Sequence, residues 1–384
     1  MTGTSIDGLD IAALRILPPS HQDSGSDTET QNIELVAAAE YPLPDQLRAQ
    51  IKQLARNDNL SWRTFGEVDA TLGDLTGVLV EQFLADNKIP KESVAAIGSH
   101  GQTVHHSPDS DPAFTVQIGD ASRISHVTGL PVVSDFRRAD IAAGGQGAPL
   151  VPAFHEALFR QADDPRSKAI CNIGGIANIT LLPADPNSPI TGFDTGPGNT
   201  LLDAWIFKHK SLSFDADGSW AAVGRASATL LSKLLGDPYL QRTPPKSTGV
   251  EHYSLDWLES QLASAKADGS HLEPVDVQAT LLEFTASTIV SSVRASQPDC
   301  TQLVVCGGGR RNSQLLNTMA RHGSWPVVNC DTLSVGNIDG DNLEAAAFAW
   351  LASQHLAGKP SNVPTVTGAS KAVVLGTLTS NSET

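Results

Sequence analysis

Apolar residues along this chain come in short runs with two different periods. Residues 9–17 (LDIAALRIL) and 33–39 (IELVAAA) read as strands. The stretch between them, PPSHQDSGSDTETQN, carries no Ala, Val, Ile, Leu, Met, Phe, Trp, Tyr or Cys and reads as a long polar hairpin loop. Over 45–87 the period becomes helical, in two successive patterns. In the second, Phe65, Val68, Leu72, Leu75, Leu79 and Phe83 recur every three or four residues. Three short strands of the buried type follow, at 94–98, 114–118 and 131–134.

The segment IAAGGQGAPLVP (141–152) breaks this order and reads as a crossover between domains. The pattern then restarts. AICNIGG and ANITLLP form a strand–turn–strand, and ITGFD is a third strand. Helices are expected at 199–210, 225–236 and 275–296. QLVVC (302–306) is an apolar strand running into glycines, a helix spans Asp341 to His355, and AVVLG (372–376) is expected to be the last strand. Alternating strands and helices define an α/β fold. Both halves open on a glycine-bearing hairpin, a weak repeat of pattern rather than of identity.

Composition narrows the partners. The 384 residues carry 26 Lys and Arg against 42 Asp and Glu, a net charge of −16. Most of such a surface repels phosphate, so neither nucleic acid nor an anionic membrane is expected as partner, whereas a small anionic ligand needs only a local pocket. No apolar run reaches the roughly 18 residues of a spanning helix, and no basic-then-apolar leader opens the chain, so the cytoplasm is the expected location. Cys171, Cys300, Cys306 and Cys330 show no CxxC spacing and read as buried thiols.

Four glycine-rich turns stand out: MTGTSIDG, NIGGIAN, FDTGPGN and CGGGRRN. Glycine lets a backbone approach a ligand closely, and successive N–H groups cradle phosphate oxygens. Each alone is weak, but four in one chain favour nucleotide binding. None is a Walker A loop or a full dinucleotide fingerprint. Asp194 ends the strand ITGFD just before TGPGN, where a carboxylate is placed to act as a base; an Asx-turn or helix cap is the plain alternative. Asp7 is a candidate for Mg²⁺ through water, or a simple turn residue. In SHGQTVHH a metal is disfavoured, and His100 and Gln102 are better taken as polar substrate contacts. In DFRRAD, Arg137 or Arg138 suits a ligand carboxylate or a surface ion pair. Glu344 opens an Ala-rich helix and complements its dipole.

As a set, these motifs resemble the anhydro-N-acetylmuramic acid kinase family, within the acetate-and-sugar-kinase, heat-shock chaperone and actin superfamily. The likeness runs in order through MTGTSIDG, GSHGQT, QIGDAS, DFRRADIAAGGQGAPLVP, CNIGGIANIT, GFDTGPGN, CGGGRRN and GDNLEAAAFAWLA. It implies an α/β fold of two actin-like (ribonuclease H-like) domains around a central cleft. The first would take 1–138 plus 358–384 and the second 139–357. It also implies ATP- and Mg²⁺-dependent phosphorylation of an anhydro amino sugar with hydrolytic ring opening, in peptidoglycan recycling. On this chain Gly3, Thr4, Ser5, Asp7 and Gly8 look like the first phosphate loop, with Asp7 toward the metal. Gly174 and Gly175 look like the second loop, and Gly307, Gly308 and Gly309 like the adenosine turn, with Glu344 also assigned to the nucleotide. Asp194 matches the catalytic base. His100, Gln102, Asp135 and Arg137 are the expected sugar contacts, and a homodimer is an open expectation.

The family places an apolar strand ahead of the first phosphate loop, and here that loop begins at Met1. A first strand is therefore expected to be missing from domain I. A chain starting about ten residues upstream is expected to be more soluble and more active. A different sugar kinase or an exopolyphosphatase of the same superfamily, and a nucleotide-binding homologue without turnover, stay open as alternatives.

Overall fold

The computed structural model describes residues 1–2, 6–17, 32–56, 61–160, 164, 166–267 and 272–380. Thus Gly3, Thr4 and Ser5 of the first loop, and nearly all of the polar hairpin loop, lie outside the described residues. The chain forms two compact units. Unit 1 comprises Met1–Leu158, Val335–Ile338 and Asn342–Thr384; unit 2 comprises Phe159–Ser334 and Asp339–Asp341.

Unit 1 begins with an antiparallel pair, β1 (Gly8–Leu17) and β2 (Asn32–Pro42). A bulge between Ala13 and Leu14 leaves Val36 of β2 without a register partner. Helices α1 (Asp45–Arg56) and α2 (Trp62–Asp86) follow, as the periodicity predicts. Ser61 caps α2 by accepting from the Thr64 N–H, and Val68, Leu72, Phe83 and Leu84 form its buried face. Gly73 and Gly77 let α2 press closely on Asp120 and Val127, which frame α3 (Ala121–Thr128). A second sheet has β3 (Ile97–Gly98) parallel to β6 (Val132–Ser134), and β4 (Gln102–Ser107) pairs antiparallel with β5 (Phe114–Ile118). The expected strand at 94–98 shrinks to two residues.

The chain then runs through α4 (Arg138–Ala142) and α5 (Val151–Phe159). The compact units divide after Leu158, about twenty residues beyond the expected boundary at 138. Asp140 shows why. Fully buried, it accepts from the Gly147 N–H, Asn362 Nδ2 and Thr367 Oγ1, each at 2.7 Å, tying 140–147 to the C-terminal segment. Those three bonds hold the glycine-rich stretch inside unit 1.

Unit 2 has one five-stranded sheet: β7 (Lys168–Ile173), β8 (Ile176–Leu182), β9 (Thr191–Pro197), β10 (Gln302–Cys306) and β11 (Val327–Asn329), in the order β11-β10-β7-β8-β9. β7, β8 and β9 form an antiparallel meander, while β10 runs parallel to both β7 and β11. Every residue of β10 is buried, as expected of a central strand covered on both faces. Around the sheet lie α6 (Thr200–Lys210), α7 (Ser219–Val223), α8 (Ala228–Leu235), α9 (Leu255–Ala267), α10 (Pro274–Ser296) and α11 (Ser313–Gly323). Helix α10 starts on Pro274, whose missing N–H costs nothing there, and is buried almost all round.

The chain returns to unit 1 with α12 (Leu343–Leu356), the short α13 (Pro364–Thr367) and β12 (Thr377–Thr379), antiparallel to β6. The last strand is therefore not AVVLG at 372–376. There Val373 bonds both ways with the 361–362 loop, and Gly376 turns at φ +93°, so ladder pairing begins only at Thr377. All four cysteines are buried free thiols, as their spacing predicts.

Candidate active site

In unit 2, β7, β9 and β10 all end at the same edge of the sheet, and each ends in a glycine turn. The ends of strands in an α/β sheet are where ligands are gathered. The three turns lock together. Asn199 N and Gly198 N donate to the carbonyls of Gly174 and Gly175, both at 2.8 Å, and the Asn199 side chain donates to Ile173 O. Gly198 O accepts in turn from Thr285 of α10. Gly307 has φ +71°, and a Cβ there would lie 2.4 Å from Asn172 Oδ1; a Cβ on Gly309 would strike Ile173. These two glycines allow the third turn to close on the first.

Gly174 and Gly308 differ. A Cβ on either would find no protein atom nearer than 3.7 Å and 3.8 Å. Their backbones border open space, the shape a phosphate-cradling turn needs. The N-terminus of α6, starting at Thr200, adds a favourable dipole for anions at the same edge.

Asp194 lies on β9, three residues before Pro197. It caps nothing: its carboxylate Oδ2 accepts from the Thr248 N–H at 3.0 Å. Its backbone is held as well, with N–H donating to Lys246 O at 3.2 Å and C=O accepting from Tyr239 Oη at 2.7 Å. Burial pushes its pKa up to about 6, against the pull of the Thr248 N–H. Among the described residues nothing donates to Oδ1 of Asp194, so that oxygen can take a proton from water. Tyr239, Lys246 and Thr248 escaped sequence reasoning because no motif marks them and they lie about fifty residues from the aspartate. Lys246 is itself fixed, with Nζ 4.9 Å from the Tyr239 ring centroid and donating to Leu240 O.

Unit 1 carries the other expected residues. His100 is buried, with Nδ1 2.8 Å from Gly101 O and Nε2 accepting from Arg137 Nε at 3.0 Å. That pairing assigns the ring proton to Nδ1, and burial together with the Arg137 charge holds its pKa well below the ordinary histidine range. Arg137 also donates to Gly147 O at 2.7 Å. Phe348 of α12 packs on the His100 ring. Glu344, at the start of α12, lies in the same unit as the first glycine turn; burial pushes its carboxyl up while Arg137 and the Met1 amine pull it down. Gln102 is buried, and its Oε1 has no partner, an unsatisfied acceptor waiting for a donor. Asp135 has φ +56°, and its carboxyl is 3.5 Å from Arg138. Thus His100, Arg137 and Glu344 form one electrostatic group, whereas Arg138 faces Asp135.

Asp7 precedes β1, exposed and 3.8 Å from Arg48. Gly8 opens β1 with no room for a side chain against Glu40 and Tyr41. No group of three His, Cys, Asp or Glu able to hold a metal occurs among the described residues. His105 and His106 instead bond Ser107 and Thr115 within the β4–β5 hairpin. No helix among the described residues is long and apolar enough to cross a membrane.

Comparison with known proteins gives the family of the chain. The anhydro-N-acetylmuramic acid kinase family matches residues 1–381. The chain is 44% identical, over 378 residues, to the curated anhydro-N-acetylmuramic acid kinase of Coxiella burnetii (strain Dugway 5J108-111), covering 98% of this chain and 95% of that protein. The enzyme of the same name from Xanthomonas campestris pv. campestris (strain 8004) is also 44% identical, over 379 residues and with the same coverage. Among solved structures, the (R)-2-hydroxyglutaryl-CoA dehydratase component A of Acidaminococcus fermentans matches at 13% identity and a TM-score of 0.39, covering 88% of this chain and 97% of that one, a superposition too loose to define the fold. With a matching family over essentially its whole length and relatives at this identity, the chain belongs to the anhydro-N-acetylmuramic acid kinase family.

Proposed function

We propose that this protein is a kinase that uses ATP to phosphorylate 1,6-anhydro-N-acetylmuramic acid at O6. Hydrolytic opening of the anhydro ring accompanies the transfer, giving N-acetylmuramic acid 6-phosphate for peptidoglycan recycling in the cytoplasm. The observation that carries the mechanism is Asp194, a carboxylate with a pKa near 6, one bound oxygen and one available oxygen.

Water attacks the anomeric carbon as the bond from that carbon to the bridging O6 breaks, and O6 takes the γ-phosphoryl group. Asp194 Oδ1 accepts the proton that the water gives up. A pKa near 6 leaves the carboxylate ionised at neutral pH, yet basic enough to accept a proton in the transition state. The backbone N–H groups of Gly175 and Gly308 suit the nucleotide phosphates, Gly174, whose own N–H donates to Ile176 O, borders the same space, and Gly307 and Gly309 shape the turn. The unpaired Gln102 Oε1 suits an N–H or O–H of the sugar, and Arg137 suits its carboxylate. Asp135 and the neutral His100 are proposed to complete the sugar contacts. A single exposed carboxylate at Asp7 suits Mg²⁺ that arrives with the nucleotide and keeps most of its water, and such an ion would neutralise phosphate charge.

The test is product analysis by mass spectrometry after turnover in ¹⁸O-water. Label is expected at the anomeric hydroxyl and not in the phosphate. Phosphorylation of an ordinary hexose, with none of the anhydro sugar, would overturn the reading.

A further inference from the structure

In unit 2 the glycine turn after β10 is braced by a side chain that has no place in the phosphate cradle. Arg310 stands in CGGGRRN, three residues past Gly307, yet it is only 3% exposed. Burying a guanidinium is costly unless its charge and its donors are met. Here both are met. Nε donates to the two carboxylate oxygens of Asp331, at 3.0 and 2.9 Å. Nη1 and Nη2 form a fork on Asp341, at 3.0 and 2.8 Å from its two oxygens. The two carboxylates are held in turn. Asp331 accepts from the Gly340 N–H at 2.7 Å, and Arg311 makes a second ion pair with Asp341. A Cβ on Gly340 would lie 2.5 Å from Arg310 Nε, so the absence of a side chain lets the backbone pass this close to the guanidinium.

Peptide geometry sets what this guanidinium does to the turn. Nη1 also donates to Gly307 O at 3.1 Å, and the Arg310 backbone N–H reaches the same oxygen at 3.2 Å. The Gly307–Gly308 peptide is trans. In a planar trans peptide the C=O and the N–H point in opposite directions. Holding the Gly307 carbonyl toward Arg310 therefore turns the Gly308 N–H away from it. Among the described residues that N–H meets no acceptor, and a Cβ on Gly308 would find no protein atom nearer than 3.8 Å. The donor is thus presented to open space. Gly307, at φ +71°, carries no side chain to resist a flip of this peptide. A flip would turn the carbonyl into the same space, where it would repel a phosphate oxygen.

We propose that Arg310 is a positioning residue for the nucleotide: braced by Asp331 and Asp341, it fixes the Gly307 carbonyl and so aims the Gly308 N–H at a phosphate oxygen of ATP. This rests on the assignment of the turn to ATP and adds the group that orients it. Arg310 does not act as a direct cation on the phosphates, because it is buried and two carboxylates already match its charge. A lysine at 310 would supply the charge but not the rigid fork that meets Asp331, Asp341 and Gly307 O together.

The experiment measures binding of a non-hydrolysable ATP analogue by calorimetry, beside KM values in the kinase assay, for the parent, Arg310→Lys and Asp341→Ala. In Arg310→Lys the Kd for the analogue and the KM for ATP should rise together by about tenfold or more, while the KM for the anhydro sugar stays within about twofold. Asp341→Ala separates orientation from charge. Removing that carboxylate makes the surroundings of the turn more positive, so a direct charge contact would bind the analogue more tightly, whereas loss of the brace weakens binding several-fold. In the parent, the analogue should slow hydrogen exchange at the Gly308 amide by about tenfold or more and leave the Arg310 Nε–H resonance in place. Equal affinity in the parent and Arg310→Lys would overturn the proposal, and so would tighter binding by Asp341→Ala. Should a variant fail to fold, the parent decides: a Gly308 amide left unprotected, or an Arg310 Nε–H resonance that shifts on binding, overturns it. A parent that binds no analogue would end the nucleotide assignment itself. A parent that binds, with variants that bind alike, would end only the role of Arg310.

Discussion

The hydroxyl of Tyr239 donates to the backbone carbonyl of Asp194 at 2.7 Å, so the residue that anchors β9 from outside the sheet holds the backbone of the proposed base. Lys246 and Thr248, from the same stretch of chain, bind the Asp194 N–H and its carboxylate. One segment thus holds the Asp194 backbone on both sides and one of its two carboxylate oxygens. Asp194→Asn keeps the shape and removes the base. Turnover is expected to fall roughly 10²–10⁴-fold, with ATP binding by calorimetry within about twofold of the parent. Near-normal turnover would remove Asp194 from the mechanism.

The raised pKa of Asp194 predicts both a pH profile and its structural cost. As a base it must be ionised, so kcat/KM should rise with pH through about 6 and level off above it. Because the folded-state pKa lies above that of the unfolded chain, the folded protein holds this proton more tightly. Stability from this group is present at low pH and is lost as pH climbs from about 4 to about 6. Asp194→Asn lacks that loss. It should be more stable than the parent above pH 6, by roughly 1–3 kcal/mol, and no more stable below pH 4, read by denaturant unfolding.

The glycine turns separate into two kinds by what a methyl group would meet. Gly308→Ala has room in the protein, so Tm should hold within about 2 °C while the KM for ATP rises by about tenfold or more. Gly307→Ala must adopt φ +71° and displace Asn172 Oδ1, and should cost about 2 kcal/mol or more of stability. If both variants behave alike in unfolding and in nucleotide KM, the cradle is misassigned.

Asp140 is buried and accepts three bonds from 147, 362 and 367. Asp140→Ala removes the acceptor of three donors at once; the Gly147 N–H loses its bond, and Asn362 and Thr367 keep only their longer bonds to Lys371 O and Val363 O. Urea unfolding should show a loss of about 3–5 kcal/mol. A loss below about 1 kcal/mol would mean that these bonds do not hold the glycine-rich stretch in place.

Much of the fold was legible because local pattern decides local structure. The helical spacing from Phe65 to Phe83 gave α2, and the apolar run QLVVC gave β10, since each buries its face in the only way its period permits. AVVLG misled because a short apolar run says where burial occurs and not which ladder it joins. Gly376 and the bonds of Val373 to the 361–362 loop decided that against pairing. The boundary between the units was also out of reach, since Asp140 reads as one more charged residue until Asn362 and Thr367 are folded onto it.

For the site, the linear chain determined the chemical inventory: glycine turns at strand ends, an aspartate ending ITGFD, and His100, Gln102 and Arg137 in polar loops. Those follow from residue type and short-range spacing, which need no partner to be read. Tertiary structure alone decided that three glycine turns interlock at one sheet edge, that Tyr239, Lys246 and Thr248 clamp Asp194, and that Arg137 fixes the His100 tautomer. Each of these depends on atoms tens of residues apart brought within 3 Å or so, and on the loss of water around them. No property of a local sequence window encodes either.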